Sequence, residues 1–133
     1  LGKLDYMLGL VDDIEKRSPE VVTEYRKKLI DKIHEVLNDA SLDENRIATE
    51  VTIFADKICV DEETVRLRSH IESTRDTLIE GGNVGRKLDF IAQEMNREAN
   101  TILSKANDLA ISDNAISLKT EIEKVREQIQ NIE

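Results

Sequence analysis

The sequence contains no tryptophan, a single proline, a single cysteine and only five glycines in 133 residues. Each scarcity closes off a class of structure. With aromatics at 3%, the core has to be aliphatic, built from Leu, Ile, Val and Ala. So little Pro and Gly leaves few turns, which excludes a many-stranded β fold and points to a few long elements. One cysteine excludes an internal disulfide framework and makes a reducing compartment, the cytoplasm, the expected setting. No apolar run approaches the ~20 residues that cross a bilayer, and no signal-peptide pattern opens the chain, so no membrane role is expected.

Charge is what the chain has in abundance. Asp, Glu, Lys and Arg make up 35% of residues, with the two signs interleaved as on the wet faces of amphipathic helices. The fold class is therefore all-α. The net charge of −9 argues against a simple nucleic-acid-binding surface, which shows as a basic footprint. The deficit is uneven, however. Residues 1–83 hold 12 Lys/Arg against 19 Asp/Glu, and residues 84–133 hold 7 against 9, so the second segment is the better place for an anionic partner.

Hydrophobic periodicity predicts five or six helices, packed mainly antiparallel, with a long helical hairpin. The first helix is expected to run to about Lys16, and Ser18-Pro19 to restart the chain with a serine cap and a proline in the first turn. Val22, Tyr25, Leu29, Ile33 and Val36 follow at spacings of three and four, and 38–40 should end that helix. Ser41 and Glu44 have capping-box spacing at the head of a helix carrying Ile47, Val51, Phe54 and Ile58. Asp61-Glu62-Glu63 supplies negative charge to the next N-terminus. Thr64, Leu67, Ile71, Thr74 and Leu78 form a heptad-like seam, closed by Gly81-Gly82. A helix beginning near 84–86 turns Leu88, Ile91, Met95, Ile102 and Ala106 inward, and 112–114 should punctuate it. The last stripe is Ala115, Leu118, Ile122, Val125, Ile129 and Ile132. Because Leu1 stands where an initiator Met would, inside a run that already reads as helix, the expectation is one helical domain over 1–133, cut from a longer protein and starting inside or beside an existing element.

The helix over 86–107 is unusually polar. Asparagine costs roughly 0.5 kcal/mol relative to alanine in a helix interior, and Asn96, Asn100 and Asn107 all fall in this stretch. Two accounts offset that cost through hydrogen bonds: a buried polar network at a helix or subunit seam, or a surface that faces a ligand. Glu94 and Glu98 are four apart and project from one face, where paired carboxylates can hold Mg²⁺ or Mn²⁺ or can simply be solvated. Glu63, Arg66 and His70 share another face, and His70 is suited to proton transfer near neutral pH, although a lone histidine is more often structural. His34 has nothing around it to suggest a site. No nucleophile–base–acid set, glycine-rich phosphate loop or zinc-ligand spacing is present; Gly81, Gly82 and Gly85 read as a helix connection.

The run Gly85-Arg86-Lys87-Leu88-Asp89-Phe90, followed by Gln93-Glu94-Met95-Asn96-Arg97-Glu98-Ala99-Asn100-Thr101 and Ser104-Lys105, closely resembles the C-terminal signature of the bacterial YicC family. The ending from Leu118-Lys119 through Glu121-Ile122-Glu123-Lys124 to Glu133 is similar to that family's ending. Glu62-Glu63, Arg66-Leu67, Ser69-His70, Arg46 and Glu50 also fall at matching positions, so the resemblance covers most of 41–133, with 1–40 as a looser helical lead-in. It implies the helical C-terminal domain of a metal-dependent endoribonuclease, Mn²⁺ favoured and Mg²⁺ second, that assembles as a homo-hexamer around RNA and is linked to small-RNA turnover beside an exoribonuclease. On that resemblance Glu94 and Glu98 would face the metal with Asp89 as a third ligand, and His70 would transfer protons. Arg66, Arg86, Lys87, Arg97 and Lys105 would contact phosphates, setting position rather than sequence preference. Two positions depart from the family. Cys59 stands where an aspartate is common, leaving capping to Asp61, and Leu103 replaces a small residue. The alternative reading is a non-catalytic oligomerisation or adaptor module.

Overall fold

A computed structural model describes residues 2–37, 43–82 and 84–132. They form five helices: α1 (Gly2–Leu37), α2 (Glu44–Ile58), α3 (Asp61–Glu80), α4 (Gly85–Lys105) and α5 (Leu109–Ile132). The all-α expectation holds. The expected stop at 38–40 and the expected cap Ser41 lie outside the described residues, as do the side chains of Val36 and Ile132.

Ion pairs between helices give the directions. Asp5 meets Arg75, and Asp12 and Glu15 meet Arg68, so α1 and α3 are antiparallel. Lys105 meets Glu63 and Arg66 meets Glu98, so α3 and α4 are antiparallel too. Arg17 meets Asp108 at one end of the α1–α5 pair, while Leu4 lies beside Val125 and Ile129 at the other. The first part of α1 with α3, α4 and α5 thus forms an antiparallel four-helix bundle, α1 packing on α3 and α5, and α4 on the same two. Its core is aliphatic as expected, with Met7, Val11, Ile14, Leu67, Ile71, Met95, Ile102, Leu118 and Ile122 fully buried.

Helix α1 corrects the expected break at Ser18-Pro19, because it runs unbroken for 36 residues with Pro19 inside it. The physical reason is the stripe. Ile14 and Val21, seven residues apart on either side of the proline, are both buried in the same core. Pro19 itself is exposed, so the carbonyl it cannot bond lies on a wet side. Ser18 Oγ donates to the Ile14 carbonyl at 2.8 Å, and Arg17 reaches forward to Glu20 and Glu24 across the proline at 3.1 and 2.6 Å. Serine here bonds backward within a helix instead of capping a new one. Pro19→Ala should raise stability by about 1–2 kcal/mol, since an interior proline costs ~3 kcal/mol and alanine gives part of that back by loosening the unfolded chain. A urea unfolding curve with an unmoved midpoint would contradict this.

Beyond the bundle, the second half of α1 pairs with α2 as a projecting arm, and α2 packs chiefly on α1. The Tyr25 and Phe54 rings stack there at 3.9 Å between centroids, 7° from parallel. Helix α2 opens on Asp43, whose Oδ1 accepts from the N–H groups of Asn45 and Arg46 at 3.1 and 3.2 Å. Gly81 and Gly82 close α3 with φ of 73° and 83°, values that a side chain would strain.

A second correction concerns 112–114, which lie inside α5. The break falls earlier, at 106–108, where Asp108 accepts from the Ile111 N–H at 3.2 Å and holds Arg17. Asn107 is accordingly outside the α4 helix.

Candidate functional site

The polar chemistry of the chain gathers where α3 and α4 face each other. Glu63 lies one turn before Leu67 on α3, close enough to the buried stripe to be only 4% exposed. Its Oε1 accepts from Lys105 Nζ at 2.8 Å, and the same ammonium donates to the Cys59 carbonyl at 3.2 Å. Arg66 Nε donates to Glu98 Oε1 at 2.8 Å, while its other nitrogens lie 3.5 Å from Glu62 and 3.8 Å from Glu63. Glu98 is 7% exposed. Two buried carboxylates, one from each helix, are thus each met by a half-exposed cation of the other helix. Glu63 Oε2 is buried without a hydrogen-bond partner among the described residues.

Burial pushes the Glu63 carboxyl up, but the hydrogen bond from Lys105, its own backbone N–H and the charges of Lys105 and Arg66 outweigh it, and the net shift is downward. Hydrogen bonding to Glu63 raises Lys105, and hydrogen bonding to Glu98 raises Arg66. Glu63, Lys105 and Arg66 are therefore charged at neutral pH.

The residues expected to form a site divide between two faces of α4. Arg66, Glu98 and Lys105 come together in this seam. Since α3 and α4 are antiparallel and Arg66 meets Glu98, four steps along each helix set His70 level with Glu94; both are half-buried. Asp89 is elsewhere. It precedes Glu98 by nine residues, half a revolution at 100° per residue, and accepts from Arg126 of α5 at 3.0 Å and from Gln93 at 3.0 Å. Arg86, Lys87 and Arg97 are exposed and have no ion-pair partner among the described residues. Arg97 and Lys105 join Gln93, Asn96, Asn100 and Ser104 around an open depression of about 420 Å³. The side chains of Asn96 and Asn100 make no hydrogen bond among the described residues, so no network inside this chain offsets their cost.

The carboxylates do not fit a metal within this chain alone. Glu98 is neutralised by Arg66, Asp89 is on the opposite flank, and no three His, Cys, Asp or Glu side chains converge on one point among the described residues. Neither position that departs from the family pattern provides one. Cys59 is an exposed free thiol at the C-terminus of α2. Asp61 begins α3 after Val60, where no side chain caps the helix, and Leu103 packs partly against the core.

Sequence reading missed the burial of Glu63 and the Arg17–Asp108 link. The first had a signal, since Glu63 precedes Leu67 by one turn on the seam; the second needed the placement of α1 against α5.

An acidic four-helix bundle with a projecting arm, an ionised α3–α4 seam and a polar outer helix is the class these features define. The family described as "Endoribonuclease YicC-like, C-terminal" matches residues 14–133, and the chain belongs to it. It is 49% identical over 132 residues to the "Probable endoribonuclease YicC" of Clostridioides difficile (strain 630), covering 98% of this chain and 45% of that protein. To the "Probable endoribonuclease YicC" of Haemophilus influenzae it is 40% identical over 131 residues, again 98% of this chain and 45% of the relative. The chain thus spans less than half the length of these relatives.

Proposed function

We propose that this chain is the helical C-terminal domain of an endoribonuclease that hydrolyses RNA phosphodiester bonds. The observation that carries the reading is the family match, which includes the whole α3–α4 seam and all of α5. His70 and Glu94, level with each other across the seam, are the pair we assign to proton transfer, a task for which a histidine is suited near neutral pH. Arg66 lies one turn from His70 and Lys105 further along the seam beside Glu63, both cations held in position by buried carboxylates. A divalent ion, Mn²⁺ favoured over Mg²⁺, belongs to this proposal for the whole protein. With Glu98 paired and Asp89 turned away, its ligands would have to be completed from outside this chain. Assembly as a homo-hexamer in the cytoplasm, and small-RNA turnover beside an exoribonuclease, are further parts of the proposal carried by the family resemblance.

The test is cleavage of a generic single-stranded RNA by the full-length protein, with Mn²⁺ or with a chelator. His70→Gln should lower the rate roughly a hundredfold or more, and Glu94→Ala/Glu98→Ala should abolish cleavage in a protein that still assembles. Cleavage unchanged in both variants would move the chemistry away from this seam. Failure of the intact protein to cut RNA would favour the non-catalytic module.

A further inference from the structure

The outer face of α4 carries a pattern that the seam does not use. Arg86, Phe90, Gln93, Arg97, Asn100 and Ser104 recur at spacings of three and four and are all exposed, so they line one side of the helix along most of its length. No Asp or Glu stands in that series. Within α4, four Lys/Arg face three Asp/Glu, and it is the only helix of the five whose basic residues outnumber its acidic ones. Two of those three acids are matched by cations of neighbouring helices, Asp89 by Arg126 and Glu98 by Arg66. With Lys105 likewise held by Glu63, the helix keeps Arg86, Lys87 and Arg97 against Glu94 alone, a positive balance on a chain of net charge −9. Phe90 stands in the middle of that charge and is 61% exposed, although Leu88 and Ile91 beside it are buried. An aromatic ring flanked by arginines and amides has the elements of single-stranded nucleic-acid recognition: a platform for a base, cations for phosphates, and donors and acceptors for base edges.

We propose that this face is a track for single-stranded RNA, on which Phe90 stacks one base while Arg86 and Arg97 hold flanking phosphates. At 1.5 Å per residue, Arg86 lies about 6 Å and Arg97 about 10 Å from Phe90 along the helix. The depression beside Arg97 places the amides of Gln93, Asn96 and Asn100 within the same stretch. The amide groups of Asn96 and Asn100, which make no hydrogen bond among the described residues, are thereby given a partner. The inference rests on the endoribonuclease reading and adds to it a binding surface separate from the α3–α4 seam.

The experiment titrates full-length protein into a single-stranded RNA oligonucleotide carrying 2-aminopurine, in Ca²⁺ buffer without Mn²⁺, at several salt concentrations. Phe90→Leu keeps an apolar side chain and removes the π face. It should abolish the change in 2-aminopurine signal and weaken binding roughly tenfold, as for one lost stack, with the salt dependence unchanged. Arg97→Gln should keep the signal change and reduce the slope of log affinity against log salt by about 0.7. Unchanged binding and signal in Phe90→Leu would overturn the proposal. So would variants that change the assembly state and not RNA affinity, because the face would then be a contact between proteins. Wild-type protein that binds RNA here and cuts it once Mn²⁺ is added, with neither variant affected, rejects the track and leaves the endoribonuclease reading intact; wild-type protein that does neither removes both.

Discussion

Replacing Lys105 with methionine is expected to destabilise the domain by about 2–3 kcal/mol. The lysine removes no large apolar surface when it goes. It leaves Glu63 ionised, 4% exposed, and already without a partner on Oε2. Arg66 Nη2, at 3.8 Å, is too far from Glu63 to replace the hydrogen bond that Lys105 makes at 2.8 Å. A buried carboxylate that loses its cation costs far more than an exposed ion pair contributes, which is why this pair matters and the surface pair Lys124–Glu121 does not. The pH dependence follows from the same geometry. The folded pKa of Glu63 lies below its unfolded value, so its contribution is present above the ordinary carboxylate range and is lost as pH falls through the lowered pKa. Asp108, lowered chiefly by the hydrogen bond from Arg17, adds to stability in the same window. Lys105→Met should lower the thermal midpoint at pH 7 and lose most of that deficit when Glu63→Gln is added. Urea unfolding of both single variants and the double variant gives the coupling. Independent, additive losses would show that the two side chains do not act as a pair.

Ile122→Ala should cost about 3–4 kcal/mol, within the range for truncating a fully buried isoleucine. Ile122 is 0% exposed on α5, in the cluster that also holds Met95, Ile102 and Leu118, where the bundle helices leave little room to collapse into a cavity. Phe54→Ala is the contrast. Its ring stacks on Tyr25 in the arm, and α2 packs chiefly on α1. Amide exchange should therefore quicken in α2 and the second half of α1, with the bundle amides little changed. Equal acceleration throughout the molecule would mean that arm and bundle unfold together.

How far the fold was legible depended on the kind of information each element needs. The stripes of α3, α4 and α5 are periodic and local, and Leu67, Ile71, Leu88, Met95, Leu118 and Ile122 were all readable as core from spacing alone. Pro19 was misread because the usual effect of proline is local, whereas here a stripe buried on both sides of it holds the helix together. The misplaced boundary at 112–114 had a similar origin. Ser, Asp and Asn do punctuate helices, but Asp108 was the residue whose partner Arg17, 91 positions away, fixed it as the start of α5. Helical spacing paired Glu94 with Glu98 and grouped Glu63 with Arg66 and His70, and the family resemblance added Lys105 to the residues to examine. Spacing could not show that Glu98 is consumed by Arg66 or that Glu63 is buried beneath Lys105, because both facts depend on the register between two helices. Asp89 and Glu98 were separable by counting, since nine residues turn a helix through half a revolution.

The order in which the bundle is threaded also has a kinetic consequence. Helices α3, α4 and α5 follow one another through connections of four and three residues, so their contacts close over short stretches of chain. Helix α1 joins them only after the arm has doubled back, and its link to α5 spans 91 positions. Short loops form early and long ones late, which makes the α3–α4–α5 meander the natural folding nucleus and the docking of α1 a later event. Damage to the α1 stripe is then felt mainly as faster unfolding, and damage to the α4 stripe as slower folding.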